Sequence, residues 1–549
     1  LGAFSLGWNV VERPDRKSQI TNPKSEIRNP KSLPYLVGLA ASLGITLLGN
    51  LGIPRMIFQG YQKLAAPPEA VIGEAFFLTR WVWAIRGLFE VLKGETLRYS
   101  VGDWYWLPSR AIPAPGDVEP ITEFPFFTFL YADLHAHLIA LPLTVLALAW
   151  VVSVVLARGR WESKLAGGVG FLLGGLAIGA LRPTNTWDYP TYLALGVLAL
   201  VFAIGAHYRP REGSLLSLFP VWVLRGVYAT VAVGILVGLS WLLYQPYTQW
   251  YALGYTETKI WSGTHTPVSA YFTHWGLFLF LILSWMLWET REWMANTPVS
   301  ALRKLIPFRE TIWGFLVVLL GLIGWLMVYL DVSIAWLVLP LAAWAGVLLL
   351  RPGMPDLKRL ILFLVGTGFV LTLAVEIVVL SGDIGRMNTV FKFYLQVWAL
   401  FGISAAASLG WLMKIGRRGV SSPVGKRLRA GWGLGLAVLV FGAFMYPVLG
   451  GMAKIEDRMA EDAPHTLDGM AYMPYARYND NGRDMHLDED YRAIRWLQEN
   501  VEGSPVIVEG NTVEYRWGGR YSIYTGLPAV LGWNWHQRQQ RTGHDSDVW

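Results

Sequence analysis

Lys and Arg gather in six clusters along this chain, each between long apolar runs, and they occupy every second connection. The basic connections are Arg13–Lys31, Arg158–Lys164, Arg209–Arg225, Arg291–Arg309, Arg351–Arg359 and Lys414–Arg429. Between them lie Gly52–Phe124, Arg182–Pro190, Gln245–His274, Asp331 and Ser381–Phe393, which are poorer in Lys and Arg for their length. Such alternation is what the positive-inside rule demands of a polytopic membrane protein. It also orients the chain: the basic loops face the cytoplasm, and the loops rich in Asp, His and Trp face outward from the plasma membrane.

Composition agrees. A chain of 549 residues that is 54% hydrophobic and 15% charged is not a soluble globular protein. The net charge of +7 sits in the short basic loops, so orientation accounts for it and no nucleic-acid partner is expected. With no cysteine, thiol catalysis, disulfides and thiolate–metal sites are excluded. Leu1–Val11 reads as the tail of a helix and Trp549 falls within a polar stretch, so the sequence reads as a fragment truncated at both ends.

A span needs roughly 20 apolar residues. Candidates are Leu33–Leu51, Phe126–Ala157, Leu165–Leu181, Thr191–His207, Val221–Tyr244, Tyr271–Trp288, Thr311–Leu330, Val332–Leu350, Leu360–Leu380, Tyr394–Met413 and Ala430–Gly450. The expected fold is therefore an all-α polytopic membrane protein of about eleven spans plus the partial one. Residues 1–32 hold that partial helix and a flexible cytoplasmic insertion, where Ile20–Ser25 is nearly repeated as Ile27–Ser32. Residues 33–450 form the membrane domain, with a long outer loop at 52–124. Within that loop, Glu69–Lys93 has apolar residues at helical spacing and reads as an amphipathic helix in the outer interface. Residues 451–549 lose the apolar runs and form a small, truncated α/β extracytoplasmic domain, with a helix at Asp490–Asn500 and a strand at Pro505–Glu509.

Four outer segments carry the polar chemistry. In Glu123–His137, counting 20 residues back from Arg158 puts His137 at the outer interface, with Asp133 and His135 just beyond. Ionisable groups at that depth are functional candidates. Residues two apart do not share a helix face, so a divalent ion or a general base there requires an extended segment. Otherwise Asp133 caps a helix and the histidines bond neighbouring loops. In Arg182–Pro190, Arg182, Asn185 and Asp188 must be paired or solvated, either as an Arg–Asp pair pinning the turn or as a binding site. In Ser381–Tyr394, Asp383, Arg386, Asn388 and Lys392 crowd together near Glu376. Outward Arg386 and Lys392 suit phosphate binding, while an Arg386 pair with Asp383 or Glu376 and a snorkelling Lys392 are the plain alternatives. The aromatic loop Gln245–His274 suits sugar stacking and interfacial anchoring equally.

Taken together, Glu123-Phe-Pro-Phe-Phe, Asp133-Leu-His-x-His137, Asn185-x-Trp-Asp188, Gly382-Asp-x-x-Arg-Met-Asn-Thr-x-Phe-Lys392 and Ile523-Tyr-Thr-Gly-Leu-Pro-x-Val-Leu-Gly-Trp533 resemble the YYY-type polytopic membrane proteins of bacteria and archaea. That family of unknown function is grouped with the C-class glycosyltransferases. Two departures stand out: a tyrosine-rich segment would precede Leu1, and Ala136 replaces the usual Pro between the histidines. The resemblance implies a C-class-like fold and transfer of a sugar from a polyprenyl-phosphate donor at the outer leaflet to an unidentified acceptor. It also implies that an acidic residue acts as base or metal ligand.

Mapped onto this chain, Asp133, His135 and His137 become the catalytic or metal set, with Mg or Mn as the divalent ion. Arg386, Lys392 and Arg182 become the donor-phosphate ligands, and Glu123, Asn185, Asp188, Asp383 and Asn388 support them. The rival reading is a transporter or lipid-handling protein, which needs discontinuous helices near the bilayer midplane. A purely structural membrane scaffold would have no use for so many polar clusters.

Overall fold

The computed structural model describes residues 1–12, 32–132, 134–159, 161, 163–210, 218–251, 257–416, 422–530 and 532–541. Among the described residues, nine helices are long and apolar enough to cross a membrane, or ten if one bent pair counts as a span. The protein is thus an all-α polytopic membrane protein. Ala335–Leu349 is apolar but has 15 residues, about 22 Å of helix against a hydrocarbon core of about 30 Å. It begins just after Asp331, which has φ 53°. The Gly2–Glu12 helix buries Leu6 and Val10 in the core.

Two spans depart from the sequence reading. The Phe126–Ala157 run is not one helix. It is a short helix, Pro125–Tyr131, closed by left-handed Ala132, and then a 22-residue span, Ala136–Ala157. The restart puts His137 in the span's first turn. The Leu33–Leu51 run forms Ser32–Ser42 and a π-helical turn, Leu43–Leu47, before the chain bends by 56° into Gly52–Ala65. Broken backbone at a membrane boundary needs partners. Asn50 supplies them, accepting from Gly52 N at 2.8 Å and donating to Pro108 O at 2.7 Å and to His274 Nδ1 at 3.2 Å.

The segment 52–124 is consequently folded protein and not a free loop. Phe77–Leu92 packs along Gly52–Ala65 through Gly87, where a Cβ would lie 1.9 Å from Tyr61 O. Its apolar ridge of Phe77, Trp81, Ile85 and Phe89 stays exposed, as an interfacial helix requires. Elsewhere glycine again allows close approach. Trp150 Nε1 donates to Gly170 O at 2.7 Å, and a Cβ at Gly174 would meet the Trp150 ring at 2.3 Å.

Among the described residues of the first unit, the basic connections and the others meet at opposite ends of the helices. At the basic end, Asp356 meets Arg158 at 3.5 Å and His207 at 3.0 Å, while buried Glu289 pairs with Lys358 and with Arg351 at 3.3 Å. At the other end, Ile121 N donates to Met387 O and Gln396 Nε2 to Trp187 O.

The chain divides into two compact units. Lys454–Trp549, with Gln245–Glu257 and Leu380–Gly382, forms the second. It contains an antiparallel hairpin, Arg477–Asp480 with Arg483–His486, followed by the helix Leu487–Asn500. In place of the expected strand at Pro505–Glu509, a single parallel bridge joins Ile507 to Ala529, and Val506 and Val508 are exposed. Asp490 is its polar hub, accepting from Arg520 Nε (2.7 Å), Trp517 Nε1 (2.8 Å) and Tyr521 OH (3.1 Å).

Candidate functional site

His135 caps the Ala136–Ala157 helix with extended backbone (φ −64°, ψ 153°), and His137 follows in the first turn. The cap swings the first ring beside the second, so the centroids lie 4.9 Å apart. Helix periodicity alone would have separated them. His135 is exposed. His137 is half-buried, bonds Thr128 Oγ1 through Nε2 at 3.2 Å and packs on Phe391, while its Nδ1 is buried with no partner among the described residues. Asp133 lies outside the described residues. Among those residues no three His, Asp or Glu side chains assemble as a metal set.

The second motif joins the first through a small cavity. Asn185 and Asp188, between Leu181–Thr184 and Asp188–His207, line it together with Thr128, His137, Thr144, Tyr192 and Gln396. Its volume is about 20 Å³, near the roughly 10–15 Å³ that one water requires. Asn185 and Gln396 lie beside the Asp188 carboxylate, and Lys392 lies within its electrostatic reach. An Arg182–Asp188 pair pinning the turn is not formed. Arg182 stacks over the Tyr189 ring at 5.6 Å, and its buried Nη1 has no partner among the described residues.

The third motif splits in two. Asp383 starts the Met387–Gly416 helix: its oxygens accept from Asn388 N and Nδ2 and from Thr389 N and Oγ1, at 2.7–3.1 Å. That carboxylate is therefore committed to the helix start, and the expectation that it orients Arg386 gives way to a capping role. One and a half turns on, Lys392 sits 5.8 Å over the Trp187 ring and between the charges of Asp188 and Asp383. Lys392 thus faces the second motif.

Arg386 faces elsewhere. It is fully buried, with Nη1 2.6 Å from Glu376 Oε1 and 3.2 Å from Val375 O, and Nη2 3.2 Å from Thr266 Oγ1. Thr266 returns bonds to both Glu376 oxygens, from N at 2.9 Å and from Oγ1 at 2.5 Å. This corrects the assignment of Arg386 as an open phosphate ligand: its guanidinium is spent on a desolvated ion pair. His265 Nε2 donates to Glu376 O at 3.1 Å, and burial holds its pKa below the usual imidazole value. Glu123 is paired as well, 3.4 Å from Arg110 Nη1, and Arg110 stacks on Trp106 at 4.2 Å.

The aromatic loop divides. Trp261 is buried with Nε1 on Thr264 O, and His274 is buried among Trp275, Tyr394 and Trp398, whereas Trp250 is exposed and the rings of Tyr247 and Tyr251 stack with centroids 4.6 Å apart. Tyr255 lies outside the described residues.

Sequence reasoning missed Thr128, Gln396, Thr266 and Arg110. Gln396 carried a usable signal, as a lone polar residue inside an apolar span. Thr266 carried none, because its role depends on a helix more than a hundred residues away.

The model of one protein family, described as Uncharacterized membrane protein (DUF2298), matches residues 1–401. No curated protein and no solved structure matches the chain.

Proposed function

This chain belongs to that family of uncharacterized membrane proteins, and we propose that it is an integral-membrane glycosyltransferase, moving a sugar from a polyprenyl-phosphate donor to an acceptor at the outer face. One observation carries the reading. The cavity collects His137, Asn185, Asp188 and Gln396 from separate helices at the end of the bundle away from the basic loops, with Lys392 beside Asp188. Polar groups at that depth are costly to maintain without a use. It is also the depth at which a lipid phosphate and a polar acceptor can meet.

In the reaction, the acceptor hydroxyl oxygen bonds to the anomeric carbon. The bond from that carbon to the phosphate oxygen breaks, and polyprenyl phosphate leaves with the electron pair. Asp133 takes the hydroxyl proton as base. Exposed His135 assists it, and His137, held by Thr128, positions His135. Lys392 and Arg182 hold the donor phosphate, and Asp188 and Asn185 orient Lys392. Two imidazoles and a carboxylate at Asp133, His135 and His137 suit Mn²⁺ better than Mg²⁺, which favours oxygen donors, and such an ion would neutralise charge on the leaving phosphate.

A transporter would need helix breaks and polar groups near the midplane. The polar groups of the cavity collect instead at the end of the bundle away from the basic loops, which favours transfer over passage.

The test uses full-length protein in proteoliposomes with a radiolabelled polyprenyl-phosphate sugar and an envelope extract as acceptor source. Wild type should bind the donor and release polyprenyl phosphate. Lys392→Gln should weaken donor binding about tenfold or more, the loss of one charge-assisted contact. Asp133→Asn should stop transfer and leave binding intact. No donor binding by wild type, or full binding by Lys392→Gln, would refute the reading.

A further inference from the structure

At the opposite end of the bundle a second recess has a different character. It is a groove of about 240 Å³ between the helices Ala136–Ala157, Asp188–His207, Ala335–Leu349 and Asp356–Ile377. Its floor is Leu195, Ala199 and Leu360, all buried, and its rim includes exposed Leu198 and Val201. One polar side chain lines it, Arg359. The groove is far larger than the roughly 10–15 Å³ a water needs, and its apolar lining gives water nothing to bond.

Depth says what fits. Leu195 lies twelve residues before His207, the end of its helix, so the groove reaches about 18 Å inward from the basic end. Half of a bilayer core is about 15 Å. The recess therefore runs the depth of one leaflet and opens on its lipid-facing side.

Charge says which lipid. Several cations crowd this end. Arg158 faces Asp356, and Arg351 and Lys358 face Glu289. Among the described residues Arg359 has no carboxylate partner: Nε and Nη2 bond the carbonyls of Met354 and Arg351, which fix the guanidinium in place, and Nη1 makes no hydrogen bond. A guanidinium so positioned at the headgroup end of an acyl-sized groove is complementary to a phosphate.

We propose that this groove binds one anionic phospholipid of the leaflet on the basic side, with an acyl chain lying over Ala199 and Leu360 and the phosphate on Arg359. The groove is separate from the site proposed for transfer and does not depend on that reading.

Full-length protein would be reconstituted in nanodiscs containing phosphatidylglycerol or phosphatidylcholine with a chain-borne diazirine, irradiated, and the adducts mapped by mass spectrometry. Labelling of Leu198, Val201 or Phe363 should be about fivefold higher with phosphatidylglycerol, the discrimination expected of one basic side chain near an anionic headgroup. Arg359→Gln should remove the preference. Ala199→Trp, which fills the floor, should reduce labelling by both lipids and keeps the test decisive if Arg359→Gln misfolds. Equal labelling by the two lipids in wild type, adducts confined to other surfaces, or undiminished labelling of Ala199→Trp would each overturn the proposal.

Discussion

Arg386 and Glu376 form an ion pair with no solvent exposure on either side, Nη1 to Oε1 2.6 Å, closed by the backbone and hydroxyl of Thr266. The pair ties the start of the Met387–Gly416 helix to the end of Asp356–Ile377. Its energetics decide how variants there must be read.

Removing one partner strands the other charge. Arg386→Met should cost about 3–5 kcal/mol. A double variant, Arg386→Met with Glu376→Leu, should recover much of that, because no charge is left to desolvate. Arg386→Lys should also destabilise, since one ammonium cannot reproduce contacts to Glu376, Val375 and Thr266 together. Thermal unfolding of purified protein followed by tryptophan fluorescence checks the order. A single variant as stable as the double would contradict it.

The neighbouring His265 gives this region a pH dependence. Burial, the largest influence, and Arg386 depress its pKa below 6.5, against the opposing pull of Glu376 and Asp331. In the unfolded chain the imidazole takes up a proton near pH 6.5. As pH falls below that value the unfolded state therefore binds more protons, and stability declines toward the folded-state pKa while remaining full above 6.5. The melting midpoint should drop between about pH 7 and about pH 5, and His265→Gln, which keeps a donor for Glu376 O, should flatten that slope. An equally steep slope in the variant would remove His265 from the account.

Orientation can be tested in the natural cysteine-free background. Cysteines at exposed Lys164 and Lys426 should stay unlabelled by an impermeant thiol reagent in intact cells, and those at exposed Glu119 and Ser262 should label. Both glycines that might seem convenient, Gly159 with φ 66° and Gly353 with φ 74°, are poor choices because a side chain there is strained. The reverse labelling pattern would invert the topology.

In the second unit, Asp490→Ala leaves Arg520, Trp517 and Tyr521 without their common acceptor. A loss of roughly 2–4 kcal/mol is expected. Hydrogen exchange over Leu487–Thr525 should accelerate in the variant. Unchanged protection there would show that the hub is dispensable.

The amino-acid sequence by itself determined the membrane architecture. Apolar runs of span length and alternating Lys and Arg report on a solvent, the bilayer, that acts on each segment independently, so one-dimensional pattern suffices. The eleven expected spans correspond to nine long helices, one bent pair and the short Ala335–Leu349 helix. The polar motifs were legible as motifs too, because charge in an apolar context is conspicuous in any window.

Tertiary structure alone decided what those polar residues touch. Arg386 and Lys392 lie six residues apart in one motif, yet Arg386 turns to Glu376 and Thr266 while Lys392 turns toward Asp188 and Trp187. His135 and His137 meet because the helix begins between them, and Asn50 is functional in the fold because Pro108 and His274 reach it. The physical reason is the same in each case. Burial in lipid acts on a residue's own character, whereas an ion pair or hydrogen bond acts only within about 3 Å, a distance that helix packing sets between residues far apart in the chain.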